Sequence, residues 1–323
     1  MNNSKKAQLI RILPAAAVIF LIPVLTPNMY VMQIVNMIGI YIILGTSINV
    51  LTGFTGQLSL GQAAFFGVGA YTTALLNTRA GWQFFPCLIG AVLMTALFGV
   101  VLAVPALKVK GSYLALLTMG FGEVVRIVMI NWTPVTNGTA GILGIDSPVI
   151  FGLYIDNLTR YYFLIMVFVI LGLVYQNVIV KTRTGRAFIA IREDNEAAEL
   201  TGIDVTSYKI KAFVLSAIYC GVAGCLYAMM IKYVSPDTFT NNISSVILWT
   251  AIVGGFGTVM GPILGGVVMQ VLPEALRFLG DWRLVVYGGI LLIVILRFPG
   301  GLYPYVEKLL HLPKAKKAGA GKE

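Results

Sequence analysis

Residues Phe84 to Leu107 read FFPCLIGAVLMTALFGVVLAVPAL, with no charged side chain and Thr95 as the sole hydroxyl. A helix needs about 20 mostly apolar residues to cross the hydrocarbon of a bilayer, because it rises about 1.5 Å per residue. This stretch meets that need alone. A helix apolar on every side has only two stable surroundings, a large protein core or lipid. The rest of the chain decides between them.

The chain has 323 residues, of which 58% are hydrophobic and 11% charged. Its mean hydropathy is +0.87. A soluble domain carries roughly 25% charged residues, so this chain cannot cover a globular surface with polar groups. Disorder is excluded as well, since it requires low hydrophobicity and high charge density. A disulfide scaffold fails because Cys87, Cys220 and Cys225 all sit inside apolar runs, where a thiol acts as a small hydrophobe. The net charge of +10 does not mark a nucleic-acid binder, because the basic residues flank apolar segments and form no cluster of their own. The class is an all-α polytopic membrane protein.

About ten segments qualify as spans, some of them short or broken. They run from about Leu9 to Pro27, Tyr30 to Leu51, Gln62 to Leu76, Phe84 to Leu107, Ser112 to Ile130, Tyr161 to Val180, Tyr208 to Met230, Ile243 to Gly257, Met260 to Leu279 and Leu284 to Phe298. No A-x-A-like cleavage site follows the first, which reads as a retained helix. Lysine and arginine in short loops stay on the cytoplasmic side. Four basic groups qualify: Lys5, Lys6 and Arg11; Lys108 and Lys110; Lys181, Arg183, Arg186 and Arg192; Lys314, Lys316, Lys317 and Lys322. Even numbers of crossings separate them, so both termini are expected in the cytoplasm. Residues 1–312 then form one transmembrane unit and 313–323 a basic cytoplasmic tail. The loop over about 131–160, rich in glycine, proline and asparagine, is extracytoplasmic. It reads equally as a solvated connector and as an outer gate or docking surface.

The cytoplasmic loop over about 181–207 carries the densest charge, including Glu193, Asp194, Glu196, Glu199 and Asp204. From Arg186 to Leu200 the apolar spacing is helical, through Phe188, Ile191, Asn195 and Ala198, and Gly202 ends the helix. An amphipathic helix here suits either a groove on another protein or the lipid surface.

Thr52 to Leu76 reads TGFTGQLSLGQAAFFGVGAYTTALL. Gly53 and Gly56 sit among Thr55, Gln57, Ser59 and Gln62 at membrane depth, with Tyr71 beyond. Irregular backbone inside a bilayer is tolerated where protein or a water-filled cavity surrounds it. Glycines alone fit close helix packing, but the polar side chains point to a translocation path. Glu123 and Arg126, three apart in the fifth span, form an ion pair that either fixes helix rotation or serves a gate. Gly257, Gly261 and Gly265 repeat at the four-residue interval of close helix contact, within the bundle or against a partner. His311, in the tail, is the sole histidine, so no metal site or histidine-based catalysis is expected.

Four runs carry a resemblance. Glu196-Ala197-Ala198, followed after three residues by Gly202, resembles the E-A-A-x-x-x-G coupling element of ABC-importer permeases. The usual downstream I-x-L-P is replaced here by Tyr208-Lys209-Ile210-Lys211-Ala212-Phe213, as in the divergent amino-acid branch. Gly53 to Tyr71 is similar, nearly residue for residue, to the corresponding run of LivM-type branched-chain amino acid permeases. Leu116 to Arg126 and Thr136 to Ile142 resemble two further runs of that family, so the resemblance spans most of the chain.

The resemblance implies a permease subunit of an ATP-driven importer in a bacterial or archaeal cytoplasmic membrane. The implied partners are a second, LivH-like permease, one or two cytoplasmic ATPases and an extracytoplasmic substrate-binding protein. The implied cargo is leucine, isoleucine and valine, with urea or short amides as the related alternative. The ATPase-coupling residues would be Arg186, Arg192, Glu196, Ala197, Ala198 and Gly202. The chain has no G-x-x-x-x-G-K-[ST] loop. ATP and magnesium would therefore belong to partner subunits, and this chain would be a transport subunit, not an enzyme. A rival from another class is an ion-driven secondary transporter. It would need carboxylates at depth, and only Glu123 and Glu274 lie within spans, each with an arginine three residues on.

Overall fold

The computed structural model describes residues 28–150 and 152–309. The expected first span and the basic tail lie outside the described residues. The long helices are α1 (Met29–Ile48), α2 (Gln62–Ala80), α3 (Phe84–Ala106), α4 (Ser112–Asn131) and α5 (Leu158–Lys181). Two short helices, α6 (Arg183–Glu193) and α7 (Asn195–Leu200), lead to α8 (Val205–Ile231). The C-terminal part holds α9 (Asn241–Gly254), α10 (Gly261–Ala275), α11 (Arg283–Arg297) and α12 (Tyr303–Leu309).

Five helical segments are long and apolar enough to cross a membrane: Met29–Phe54, Phe84–Ala106, Ser112–Asn131, Leu158–Lys181 and Val205–Ile231. The described chain is thus a polytopic helical membrane protein. The remaining apolar helices are shorter, with α9 at 14 residues and α10 and α11 at 15 each.

Three boundaries differ from the sequence reading. α2 runs on to Ala80, where Gly81 adopts φ 63° and closes the helix. α9 stops at Gly254, because Gly255 takes φ 119° and Gly257 φ 71°. α10 ends at Ala275, two residues past Pro273, and a 3-10 turn follows. The Gly257-Gly261-Gly265 stripe is corrected accordingly: Gly257 belongs to the turn, and only the other two lie on α10.

α8 is the central pillar, packed by α1, α2 and α3. The approach is close enough to exclude side chains. A Cβ on Gly69 would stand 2.7 Å from the Gly221 Cα, and one on Gly224 would stand 2.6 Å from the Ala70 amide nitrogen. α9 and α10 form a tight hairpin in which a Cβ on Gly265 would overlap the Thr250 carbonyl, while Gly266 rests on Ile42 of α1. These glycines serve packing within the chain. Gly265→Leu therefore forces two backbones apart. We expect loss of the monodisperse peak in detergent gel filtration, whereas Gly288→Ala, with open space at that position, leaves it intact.

Outside the helices, the described residues form two short ladders. Strand β1 (Ile142–Leu143) pairs antiparallel with β4 (Tyr233–Val234), and β2 (Val149–Ile150) with β3 (Leu153–Tyr154). Arg79, near the end of α2, donates to the Pro134 and Val135 carbonyls at 2.8 Å each. Asn77 Oδ1 accepts from the Asp146 amide at 2.7 Å. The 131–160 loop is thus folded down on the outer end of α2.

Candidate functional site

The α1 segment does not end cleanly. After Ile48 the helix widens to a π-turn over Asn49–Phe54, and Gly56 takes φ 70°. Such bulges concentrate at functional positions. The chain then runs without regular structure to Gly61 and re-enters the bundle. Its end is pinned on both sides: the Leu60 amide donates to Thr118 Oγ on α4 at 2.9 Å, and the Ala63 amide to Ser244 Oγ on α9 at 2.9 Å. α2 therefore begins inside the protein, between α4 and α9.

The polar residues expected to line a path are buried. Ser59 and Gln62 are fully enclosed, and Thr55, Gln57 and Tyr71 are at most 5% exposed. Gln62 Oε1 accepts from Ser47 Oγ at 3.0 Å, Cys220 Sγ at 3.1 Å and Ser216 Oγ at 3.2 Å. Thr55 donates to the Leu51 carbonyl and Gln57 Nε2 to Thr55 Oγ. Among the described residues, Gln62 Nε2 and the Tyr71 hydroxyl are buried polar atoms without a hydrogen-bond partner. Gly53 is buried, while Gly56 is exposed beside Arg192.

Arg192 is the link between this centre and the charged α6–α7 pair. Its Nη1 donates to the Gly53 carbonyl at 2.6 Å. The same guanidinium lies against Gly257, where a Cβ would stand 2.7 Å from Nη1. Asn49 completes the junction, donating to the Thr258 carbonyl at 2.7 Å and accepting from the Gly257 amide at 2.8 Å. The two glycine clusters, distant in sequence, thus meet at one knot beside α6. A small cavity of about 80 Å³ beside it is lined by Gly56, Gln57, Lys110, Arg192, Asn195 and Lys209 among others.

The amphipathic helix expected over Arg186–Leu200 is two helices. Asp194 adopts φ −158°, ψ 117°, and its carboxylate accepts from the Glu196 amide at 2.8 Å and the Ala197 amide at 3.2 Å. A short acidic side chain competing for backbone amides breaks one helix and caps the next. Losing that cap costs about 1 kcal/mol. Asp194→Ala is expected to cut the exchange protection of the 195–200 amides roughly five-fold, read by hydrogen–deuterium exchange.

The apolar stripe of α6 also points inward. Phe188 and Ile191 are buried, and Phe188 packs edge-on against Tyr208 of α8 at 6.2 Å. Ala198 likewise faces in. What faces out is α7: Glu196, Ala197 and Leu200, the last 89% exposed. Leu200 escaped the sequence reading; an apolar residue ending an acidic turn was its only signal. Gly202, at φ 84°, closes α7, with its amide on the Glu199 carbonyl at 2.9 Å and the Ile203 amide on the Ala198 carbonyl at 3.2 Å. Arg186 is exposed and donates to the Lys181 carbonyl at 3.3 Å. The Lys110–Glu196 pair, at 3.8 Å with both side chains open to solvent, contributes little. The Ser207 hydroxyl and amide hold the Asp204 carboxyl below its usual range, which keeps the start of α8 capped.

On the outer half, Arg126 grips Glu123 through Nε at 3.0 Å and Nη2 at 2.5 Å. Two residues missed by sequence reading join them. Asn241 Nδ2 donates to Glu123 Oε2 at 3.3 Å, and Asp237 Oδ1 lies 3.7 Å from Arg126 Nη1. Asn241 opens α9 and Asp237 lies in the 3-10 turn before it, whose Phe239 ring packs edge-on against Phe66 at 5.1 Å. Tyr71 and Tyr227 ring the same phenylalanine at 6.2 and 6.3 Å.

A bundle of apolar helices with an interrupted α1, a re-entrant centre and a charged helix pair tied to it has the architecture of a membrane transport protein. Residues 30–295 match the family described as "Branched-chain amino acid transport system / permease component". The chain is 36% identical over 310 residues to the high-affinity branched-chain amino acid transport system permease protein LivM of Salmonella typhimurium, covering 89% of this chain and 73% of that one. The Escherichia coli K12 protein of the same name is 35% identical over 313 residues, covering 90% and 73%. The probable LivM of Methanocaldococcus jannaschii is 25% identical over 334 residues, covering 86% and 94%. No solved structure matches the chain. The chain belongs to the branched-chain amino acid transport permease family.

Proposed function

We propose that this chain is the LivM-type permease subunit of an ATP-driven importer of leucine, isoleucine and valine. It pairs with a second, LivH-like permease in the cytoplasmic membrane. One or two ATPase subunits seat against its cytoplasmic loop, and an extracytoplasmic binding protein docks on its outer loops. ATP and magnesium act in the ATPase subunits. The chain crosses the membrane about ten times with both ends in the cytoplasm, as residues 1–312 plus a basic tail.

One observation carries the mechanism. Arg192 stands on the helix pair that presents Glu196, Ala197 and Leu200 outward, and it holds the Gly53 carbonyl inside the broken span. Movement of α6 and α7 by a seated ATPase therefore pulls directly on the π-turn. Gly53, Gly56 and Gly257 let the backbone turn there without side-chain obstruction. The Thr55–Gln62 segment, held at its far end by Thr118 and Ser244, shifts with it, and α4 and α9 follow. In this reading Gln57, Ser59, Gln62 and Tyr71 transmit or line the opening as the bundle rearranges.

The test is purification of the tagged chain in mild detergent, with mass spectrometry of what accompanies it, then reconstitution of the recovered complex. Recovery of a second permease and Walker-A ATPases, with ATP-dependent uptake of labelled leucine, supports the reading. Recovery of the chain alone, under conditions that preserve control complexes, sinks it. Uptake of labelled urea without leucine keeps the importer and changes the cargo.

A further inference from the structure

The charged group on α4 lies where lipid cannot cover it. Eight residues separate Glu123 from the outer end of α4 at Asn131, which is about 12 Å of helix rise. The hydrocarbon core is about 30 Å thick, so Glu123 stands near its middle and Arg126, about 7.5 Å from the same end of α4, stands halfway to its edge. Their side chains are 36% and 24% exposed in this chain. A charge at that depth costs about 2.5–3.5 kcal/mol on insertion scales, and such residues face protein or water. Met119 and Ile127 are exposed on the flank of α4 that carries Glu123, and the polar and small groups lie beside them. Gly120, one turn inward, has nothing within 4 Å of a would-be Cβ, Asn242 is exposed, and Asn241 and Ser245 are half-exposed on α9. The opposite flank of α4, at Val124 and Val128, is apolar and open, as a lipid face should be.

We propose that this seam between α4 and the start of α9 is the wall along which the amino acid zwitterion crosses, facing the second permease. The proposal rests on the importer reading and relocates its path. The buried polar residues of the re-entrant segment brace the wall from behind, through Leu60 to Thr118 and Ala63 to Ser244. Glu123 offers a carboxylate to the ammonium group, and Arg126 offers a guanidinium to the carboxylate. Each releases part of its partner as the zwitterion takes its place. Asn241 and Asp237 give Glu123 and Arg126 each a second polar neighbour, so each keeps a partner when the direct pair opens.

The test uses the assembled importer in membranes. Val128 lies five residues from Glu123, about 140° round the helix. Asn242→Cys should react with a membrane-impermeant cationic thiol reagent at least ten-fold faster than Val128→Cys. The native thiols do not interfere, because all three are buried. Saturating leucine with the binding protein should slow the reaction at residue 242 several-fold. Equal rates at the two positions, or no effect of leucine in an importer that transports it, overturn the proposal. A second arm separates recognition from architecture. The double variant Glu123→Arg/Arg126→Glu keeps an ion pair at the same spacing but reverses its polarity. It is expected to assemble with its partners and lose leucine uptake at least ten-fold. Uptake within two-fold of the unsubstituted importer would show that the pair only fixes the helix. If the unsubstituted importer moves no leucine, the importer reading fails, while the labelling contrast still reports on the seam.

Discussion

Gly202→Trp is expected to abolish ATP-driven uptake while the protein stays folded in the membrane. Gly202 ends α7 at φ 84°, and no atom lies within 4 Å of the place where a Cβ would stand. That open space lets a tryptophan ring project from α7 toward the proposed ATPase surface, near Glu196 and Leu200. The backbone cost of a side chain at positive φ is about 1 kcal/mol, too small to unfold the bundle. The loss therefore measures docking. Gly202→Ala carries the same backbone cost without the bulk and should keep most uptake. Glu196→Trp, on the same exposed face, should behave like Gly202→Trp. The measurement is leucine uptake into proteoliposomes, normalised to protein in the membrane, and a fall of 100-fold or more is expected. Normal uptake in both tryptophan variants removes α7 from the coupling surface.

The second large effect concerns Arg192. Arg192→Ala deletes the bond from α6 to the Gly53 carbonyl and empties the space against Gly257. A charge-assisted hydrogen bond contributes about 1.5–3 kcal/mol, less here because the arginine is partly in solvent. Assembly should survive, since Phe188 and Ile191 still anchor α6 in the core. What should be lost is transmission. ATP hydrolysis by the complex continues, and the leucine carried per ATP falls about ten-fold or more. Hydrolysis and uptake measured on the same vesicles give that ratio. An unchanged ratio would show that Arg192 only fills space. Arg192→Lys keeps a donor but loses the planar fork that spans Gly53 and Gly257, so it should restore the ratio only in part.

Particular residues show where reading the chain in one dimension succeeds. Phe84–Leu107 declares a spanning helix because a bilayer imposes one length and one polarity on any segment that crosses it. Gly53-Phe54-Thr55-Gly56 marks an interrupted span because glycines beside polar groups are costly inside a regular helix in lipid. The Glu196–Gly202 element is visible because its spacing is local, within seven residues. The cases that fail are also local in character. Asp194 reads as one charge among several on a helix surface. Its role as a cap depends on which amides its carboxylate reaches. The Gly257-Gly261-Gly265 interval implies one stripe, but Gly255 and Gly257 sit at positive φ and turn the chain first.

By itself the sequence determined that this chain is a polytopic membrane protein and where its charged helical element lies. Those properties follow from interactions between each residue and its solvent, or between residues a few positions apart. Only the tertiary structure decided that Arg192 holds Gly53, that Asn49 clasps Gly257 and Thr258, and that Asp237 and Asn241 join the Glu123–Arg126 pair. It also decided that Gln62 faces Ser47, Ser216 and Cys220 and that Leu200 faces out. In a bilayer hydrophobicity does not sort helix faces into inside and outside, because lipid is as apolar as the core. Which face packs is settled by close backbone approach and by polar partners that meet across the bundle, and those partners are distant in sequence.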